Sequence, residues 1–112
     1  MTFKRWDIIL VPFPFTNLRT VKKRPALILS PDSYNSDRDV VILFITSNIH
    51  AKPKPGDHSI EFWKESGLPK PSKTKMKFVT IATSIVVKKI GSLHNSDRFE
   101  IRDKLQTFFD LW

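Results

Sequence analysis

Residues 22–30 read KKRPALILS, and we expect this segment to decide the fold because it joins three cations to a proline and an apolar run. Proline disfavours a helical conformation at the residue before it, so Arg24 is expected to be extended, with its guanidinium projecting. Residues 26–29 then form a buried strand. A cation at the mouth of a rigid strand needs little further ordering to bind phosphate. The alternative is a solvated hairpin end that is merely basic.

Strands are also predicted on both sides of this segment, because the apolar runs there are short and bounded by turn residues. Residues 7–11 form the first, and Pro12 and Pro14 confine its end to a sheet edge since proline cannot donate to the ladder. Residues 40–45 are six consecutive apolar residues, which is typical of a central strand buried on both faces. The remaining expectations are a hairpin loop at residues 16–21, one helical turn within 31–39, a loop at 50–57, and short strands at 59–63, 78–81 and 85–87.

Residues 97–111 are predicted to form the one long helix, because apolar residues recur there at a helical spacing. The apolar stripe consists of Ile101, Leu105, Phe108, Phe109 and Trp112. Ser96 is the expected N-cap, and Asp97 is placed favourably near the positive end of the helix dipole. Short, mostly antiparallel strands followed by one helix predict a mainly β (α+β) fold, in which the helix covers an opening or an edge of a bent sheet or small barrel.

The length and charge of the chain restrict its class. A chain of 112 residues is long enough for one core, so we expect a single domain over residues 1–112. Lys and Arg number 19 against 11 Asp and Glu, and the net charge of +8 favours a polyanionic partner. Nucleic acid is the first candidate, with an acidic membrane surface and an acidic protein as alternatives. Neither a secretory signal nor an apolar run of membrane-spanning length is apparent, so we expect a cytoplasmic protein with no membrane partner.

Several kinds of catalytic site are not indicated. The absence of cysteine excludes disulfides and thiolate zinc sites. The few glycines form no phosphate-binding loop, and no serine lies in a GxSxG motif. The histidines have no spacing typical of metal ligands, and we expect all three at the surface: His50, His58 and His94. We therefore predict neither a metal nor another cofactor.

Residues 70–77, KPSKTKMK, contain four lysines. If the chain is extended from Lys73 onward, Lys73, Lys75 and Lys77 share one face, since side chains alternate along a strand. Such a row suits phosphate, yet it is also typical of a solvated edge that protects a strand from aggregation. The aromatic residues leave a similar choice between base stacking and core packing: Trp6, Phe13, Phe15 and Trp63.

The strongest pair of candidate residues is Arg24 with Thr46. Arg24 opens one predicted strand and Thr46 closes another, so the two meet at one side of the sheet if these strands are antiparallel neighbours. Cleavage of RNA by its own 2′-hydroxyl needs a phosphate held in line and its growing charge stabilised. Arginine supplies a charged fork, and a threonine hydroxyl donates to a phosphate oxygen. DNA lacks this internal nucleophile, so such a site would select RNA.

These features resemble the MazF/PemK-like toxins of bacterial type II toxin–antitoxin systems. The blocks that carry the resemblance are Asp7 with PFPFTN (12–17), KKRPALILS (22–30), FITS (44–47), GLPKPSK (67–73) and IVVKKIGSL (85–93), and they keep the family's order over nearly the whole chain. The resemblance implies a small SH3-like barrel and a homodimer. It also implies sequence-selective, metal-independent cleavage of single-stranded RNA, and inhibition by a cognate antitoxin whose disordered tail occupies the RNA groove.

Residue by residue, the resemblance implies that Arg24 and Thr46 are catalytic. Arg24 would stabilise the charge of the transition state, and Thr46 would orient the phosphate with Ser47 beside it. The loop at residues 15–21 corresponds to a family loop that touches RNA. Together with the basic segments, these matches predict the following RNA-binding residues: Phe15, Asn17, Lys22, Lys23, Ser47, Lys73, Lys75 and Lys77.

The chain departs from the family pattern at four places. Trp6 replaces the usual glycine before Asp7, and the loop at 15–21 lacks its usual glycine. Lys75 stands where arginine is frequent, which exchanges a planar fork for a point charge. The acidic residue that often precedes the lysine matched by Lys77 is missing. These departures bear on substrate sequence and catalytic rate.

Two other functions remain open from the sequence. The same barrel is compatible with a non-catalytic protein that grips nucleic acid or inhibits a topoisomerase, as the structurally related CcdB-type toxins do. An inactive or antitoxin-like interaction domain that keeps only the fold is the third possibility. The KKRP and TS blocks favour the ribonuclease, because a surface for binding a protein would not need them.

Overall fold

The computed structural model describes residues 2–13 and 22–110. The predictions for Phe15, Asn17, the loop at residues 16–21 and Trp112 concern residues outside these ranges. The described elements are β1 (Asp7–Pro12), β2 (Lys23–Ile28), α1 (Asp32–Asn35), β3 (Asp39–Thr46), β4 (His58–Ser59), β5 (Lys73–Ala82), a 3₁₀ turn (Thr83–Ile85), β6 (Lys88–Ser92) and α2 (Asn95–Phe108).

The strands form one curled sheet, a half-barrel, with the order β4-β5-β3-β2-β1-β6. Every pairing within the described residues is antiparallel. This confirms the predicted mainly β fold of short antiparallel strands followed by a C-terminal helix. It also confirms the strands at residues 7–11 and 40–45, the helical turn within 31–39, and the basic strand that begins beside Arg24.

Both faces of the sheet are covered by apolar side chains, as the apolar run of β3 predicts. On one face Val11, Ala26 and Ile42 belong to the first core cluster. On the other face Ile8, Leu27 and Leu43 belong to the second cluster, which Ile101 of α2 completes. Alternation of side chains along each strand produces this division. The helix therefore covers one face, and the ends of β2 and β3 remain at the rim.

Two predicted strands are wrong. Residues 59–63 are not a strand: β4 ends at Ser59, and the amides of Glu61 and Phe62 donate to the carboxylate of Asp97 at 3.0 Å each instead of to a strand. Ile85 ends a 3₁₀ turn, and of residues 85–87 only Val87 reaches β1, where its amide lies 2.8 Å from the Leu10 carbonyl. Both segments contain apolar residues, but their backbone partners are not those of a continuous ladder.

Helix α2 begins at Asn95, earlier than predicted, and its N-cap is His94 rather than Ser96. Nδ1 of His94 accepts from the Ser96 amide at 3.2 Å, and this bond serves a donor that the first turn leaves without a helical partner. Of the predicted apolar stripe, Ile101 is buried, whereas Phe108 and Phe109 are 43% and 49% exposed. Helix α2 has 14 residues, and no described helix has the length and apolar character to cross a membrane.

Candidate active site

The antiparallel pairing of β2 and β3 brings Arg24 and Thr46 to the same end of the sheet. Ala26 lies opposite Phe44, and Arg24 and Thr46 each lie two residues further toward that end. Both side chains line one cleft of about 400 Å³. Its lining comprises Phe13, Arg24, Phe44, Ile45, Thr46, Ser47, Asn48, Ala51, Lys54, Lys75 and Lys77.

Aromatic rings support the guanidinium of Arg24. The group lies over the ring of Phe13, 5.7 Å from its centroid, and Phe13 meets Phe44 edge to face at a centroid distance of 5.5 Å. Arg24 is half-buried, and no carboxylate in residues 2–13 or 22–110 lies within ion-pair distance of it. Its cation is therefore held in place yet remains available to an anion.

The hydroxyl of Thr46 is oriented by the backbone that follows β3. Its Oγ1 accepts from the amide of Asn48 at 3.1 Å, so the hydroxyl hydrogen remains able to donate to an oxygen in the cleft. Ser47 is half-buried and lines the same cleft. A charged fork, a hydroxyl donor and two aromatic rings thus border one cavity, which suits a phosphodiester with an adjacent base.

The lysines of the KPSKTKMK segment have different environments. Lys73 is only 4% exposed, and its Nζ lies 3.3 Å from the carbonyl of Ala51 and 3.4 Å from Oδ2 of Asp57. Lys73 was predicted among the RNA-binding residues, but it is buried and does not line the cleft. Lys75 lines the cleft but lies 3.0 Å from the same Asp57 oxygen, which offsets its charge. Lys77 is exposed on the cleft and pairs with no carboxylate of the described residues.

Asp57 was not predicted, and it organises the cleft wall behind Lys75. Burial raises the pKa of this carboxyl, but the amide of Lys54 and the ammonium groups of Lys75 and Lys73 together hold that pKa below its ordinary value. The Lys54 amide donates to Oδ2 at 3.0 Å. Asp57 is therefore ionised at neutral pH and fixes the loop that carries Lys54 against β5.

The two lysines before Arg24 lie outside this cleft. Lys22 and Lys23 are both exposed, and Lys23 pairs with Pro12 of β1 in the sheet. Lys23 lines a second cleft, on the other side of Arg24. The structure thus brings together Arg24, Thr46, Ser47, Lys75 and Lys77, whereas Lys23 and Lys73 face elsewhere.

Within β3, sequence reasoning gave Phe44 and Ile45 no part in the site. It also missed three residues that line the cleft after that strand: Asn48, Ala51 and Lys54. All three follow β3 in a segment without apolar periodicity, where only the register of the sheet decides what reaches the site. Phe13, considered above as either a stacking or a core residue, has its place beside Arg24.

The prediction that the histidines lie at the surface is wrong for His58, which is 2% exposed. Its Nε2 lies 2.7 Å from Oδ1 of Asp97, and its Nδ1 lies 3.1 Å from Nζ of Lys104. These contacts fasten α2 to the sheet, and none of the three residues lines the cleft. Within the residues that the structure describes, no cluster of three or more His, Asp or Glu side chains is suited to hold a metal ion.

Comparison with solved structures finds the same fold over the whole length of small toxins. An endoribonuclease in complex with its cognate antitoxin from a mycobacterial species superposes with a TM-score of 0.79 at 16% identity, covering 99% of this chain and 98% of that one. The Mycobacterium tuberculosis toxin MazF-mt6 gives 0.74 at 21% identity, with 95% and 98% covered. MazF from Deinococcus radiodurans gives 0.75 at 19% identity, with 99% of both chains covered.

The sequence comparison decides the family. No curated protein shows a significant match in sequence. The family model that matches is that of the PemK-like, MazF-like toxins of type II toxin–antitoxin systems, and it covers residues 4–109. That match includes the strand with Asp7, the KKRPALILS segment and the end of β3 beside Thr46. This chain belongs to the PemK-like, MazF-like toxin family.

Proposed function

We propose that the protein is an endoribonuclease that cleaves single-stranded RNA at selected sequences without a metal ion. The observation that carries the proposal is that Arg24 and Thr46 line one cleft, and the described residues of its lining include three lysines and no Asp or Glu. The endoribonuclease names of two mycobacterial structural neighbours give it further support. Catalysis by positioning and charge alone is sufficient for this reaction because the RNA carries its own nucleophile.

In the proposed reaction, the 2′-oxygen of one nucleotide attacks the adjacent phosphorus while the bond to the 5′-oxygen of the next nucleotide breaks. The 2′-hydroxyl loses a proton, the leaving 5′-oxygen gains one, and a 2′,3′-cyclic phosphate remains on the upstream fragment. Arg24 stabilises the charge that accumulates on the phosphate oxygens, since a guanidinium is a poor proton donor. Thr46 and Ser47 donate to the same phosphate, and Phe13 and Phe44 provide faces for a neighbouring base.

The remaining cations of the cleft would guide the RNA backbone. Lys54 and Lys77 are exposed on its rim, and Lys75, offset by Asp57, contributes position more than charge. Phe15 and Asn17, which lie outside the described residues, keep their proposed role as RNA contacts. Lys22, which the structure describes, keeps the same proposed role. The residues of the cleft wall would then set the preferred sequence.

The partners follow from the family. Two of the neighbours are a mycobacterial endoribonuclease solved with its cognate antitoxin and a MazE-MazF complex from Deinococcus radiodurans. We propose likewise that a cognate antitoxin binds this chain and excludes RNA, that the chain folds as one domain over residues 1–112, and that it acts in the cytoplasm as a homodimer. An acidic antitoxin segment is complementary to the basic cleft.

Replacement of Arg24 tests the catalytic assignment. Arg24→Ala should lower the rate of RNA cleavage by about 10²- to 10³-fold, which corresponds to about 3 kcal/mol for one donor that stabilises transition-state charge. The rate is measured with a single-stranded RNA in EDTA, and circular dichroism verifies that the variant is folded. The matched control is Arg102→Ala, since Arg102 is exposed on α2 and lies outside the cleft.

Each outcome has a defined meaning. The proposal is supported if the wild-type protein cuts the RNA into defined fragments in EDTA. These RNA fragments should be absent with Arg24→Ala and present with Arg102→Ala. Intact RNA with the wild-type protein would favour a non-catalytic binding protein. Undiminished cleavage by folded Arg24→Ala would remove Arg24 from the mechanism.

A further inference from the structure

A second cleft, of about 440 Å³, opens on the other side of Arg24. It is lined by Leu10, Lys23, Arg24, Pro25, Ile45, Ser47, Gly67, Pro69, Lys70, Ser72, Lys88 and Ile90. Arg24, Ile45 and Ser47 border this cleft as well as the first one. We refer to the two as the threonine cleft, which contains Thr46, and the lysine cleft, which contains Lys23, Lys70 and Lys88.

The two clefts lie toward opposite faces of the sheet. In β2, Arg24 and Ala26 point to the face of Phe44, whereas Lys23 and Pro25 point to the other face, because side chains alternate. Pro25 lies opposite Leu10, and Leu10 lies opposite Lys88, so these three side chains share the second face. Arg24 reaches both clefts because it sits near the start of β2, at the rim of the sheet.

The charge of the lysine cleft is not offset by nearby carboxylates. Lys23, Lys70 and Lys88 come from three separate segments, and within residues 2–13 and 22–110 none of their ammonium groups forms an ion pair. Lys73, Lys75 and Lys89, in contrast, each pair with an aspartate. No Asp or Glu of the described part of the chain lines the cleft. Three uncompensated cations held at one cavity make a site for a polyanion.

The lining also indicates which part of a nucleic acid fits. The threonine cleft contains the rings of Phe13 and Phe44, which suit a stacked base. Among the described residues, the lysine cleft has no aromatic ring in its lining: its apolar lining is aliphatic, and its polar groups are the Arg24 guanidinium, the ammonium groups and the hydroxyls of Ser47 and Ser72. Ammonium and hydroxyl donors suit phosphate and sugar oxygens better than base faces.

We infer that the RNA chain crosses the rim of the sheet at Arg24, with the nucleotides on one side of the scissile phosphate in the threonine cleft and those on the other side in the lysine cleft. Lys23, Lys70 and Lys88 bind the backbone phosphates of the second group. This inference rests on the proposed ribonuclease function and adds to it a substrate-binding site. It assigns to Lys70 and Lys88 a role in RNA binding that was not expected from the sequence.

The test is the salt dependence of cleavage by the double variant K70A/K88A. The slope of log(kcat/KM) against log[salt] should become shallower by about 1.4, since each lost contact with a single-stranded phosphate removes about 0.7. At low salt kcat/KM should fall several-fold, by the same factor for RNAs of different sequence, because phosphate contacts carry no base specificity. The matched control is K4A/K64A, which removes two exposed lysines that line neither cleft.

A second measurement locates the contacts along the RNA. Substrates are shortened from the 5′ or the 3′ side of the cleavage site, and shortening on either side should lower kcat/KM of the wild-type protein, since each cleft holds nucleotides. The double variant should lose this sensitivity on one side only, the side whose nucleotides occupy the lysine cleft. The inference would be overturned if the double variant had the same salt slope as the wild-type protein. It would also be overturned if K4A/K64A changed the salt slope by as much as the double variant does.

Failure of the inference is distinguishable from failure of the proposed function. If the wild-type protein cleaves RNA and the double variant has the same kcat/KM and the same salt slope, the lysine cleft is not part of the RNA path. If the wild-type protein leaves RNA intact, the function itself is wrong. Unchanged RNA cleavage by the double variant, together with weakened binding of a poly-glutamate peptide, would assign the cleft to an acidic protein segment and overturn the inference.

Discussion

At the scale of single residues, Trp6 shows how a departure from the family pattern is accommodated. Its φ of 76° lies in the left-handed region, which glycine adopts without strain, and the family usually has glycine there. The backbone is held on both sides, since the Trp6 amide donates to Ile28 and its carbonyl accepts from Leu93, each at 2.8 Å. The indole packs against the second core cluster, and this packing offsets the backbone strain.

Comparison of Trp6→Gly with Trp6→Ala separates the backbone term from the packing term. Both variants lose the indole, but alanine keeps the strained φ, so Trp6→Gly should be more stable than Trp6→Ala by about 1 kcal/mol. Unfolding in urea measures the difference. Trp63 provides the control because it packs on the same cluster without a positive φ, and there glycine should be no better than alanine. Equal stability of the two Trp6 variants would refute the assignment of strain.

Close approach of two backbones explains another pair of residues. A side chain on Gly67 would overlap the carbonyl of Ile90, and one on Gly91 would overlap the carbonyl of Ser66. The turn before Leu68 and β6 can therefore meet only where both residues lack a Cβ atom. This contact places β6, and with it Lys88, at the border of the lysine cleft.

At the scale of elements, Asp57 ties the loop after β3 to β5. Lys73 and Lys75 of β5 both approach its Oδ2, and the Lys54 amide donates to the same oxygen. Because the folded state holds the pKa of Asp57 below its ordinary value, ionisation of this carboxyl stabilises the fold. That contribution is present above pH 4 or so, the value in the unfolded chain, and it is lost as the pH falls through the lower folded-state pKa.

Asp57→Asn should therefore change stability in a pH-dependent way. At pH 7 we expect the free energy of unfolding to fall by about 1–2 kcal/mol, since the charged hydrogen bonds become neutral ones. The difference in the free energy of unfolding between wild type and variant should narrow as the pH is lowered toward 3, because the wild-type carboxyl then loses its charge as well. Urea unfolding at several pH values measures it. Asp103→Asn, on the exposed face of α2, is the control, and a gap that does not vary with pH would contradict the assignment.

Helix α2 depends on a second buried carboxylate. Asp97 receives the amides of Glu61 and Phe62 and contacts His58, and these three contacts join the first turn of the helix to the segment after β4. The favourable position of Asp97 near the helix N-terminus was expected from the dipole. Asp97 is buried because it contacts partners that lie 35 to 39 residues away in the chain. The same contacts prevent residues 59–63 from forming a strand.

At the scale of the whole molecule, three exposed rings meet on the face of the sheet that carries the second core cluster, opposite the face of the first. Phe78 of β5 lies 6.4 Å from Phe108 and 5.3 Å from Phe109 between ring centroids. Their exposed fractions are 36%, 43% and 49%. A contiguous exposed apolar patch of this kind marks a contact surface for another protein. The family resemblance implies a homodimer, and we expect this aromatic patch to contribute to it.

Phe109→Ser should weaken self-association. We expect a dimer for the wild-type protein and a larger monomer fraction for the variant at the same concentration, because one of the three rings is lost from the contact surface. Light scattering after size-exclusion chromatography gives the mass. Phe99→Ser is the control, since Phe99 is 76% exposed on α2 but has no ring contact with this patch. The same mass for wild type and Phe109→Ser would exclude the patch from the dimer.

The strands and helix that could be predicted are those determined by local pattern. The apolar runs at residues 7–11 and 40–45, the proline after Arg24 and the helical period around Ile101 each act over a few residues, so each is legible without a structure. The placement of Arg24 and Thr46 at one end of the sheet followed from these elements together with the single assumption that their strands pair antiparallel.

What the sequence by itself determined is therefore the strands and the helix that a local pattern specifies, and which cations lie at strand ends. The tertiary structure decided which of those cations remain available. Lys73 and Lys75 are offset by Asp57, which lies 16 and 18 residues earlier in the chain, whereas Lys70 and Lys88 keep their charge beside Arg24. The physical reason is that side-chain pairing and burial depend on distances in space, and the register of the sheet sets those distances across segments with no shared local pattern.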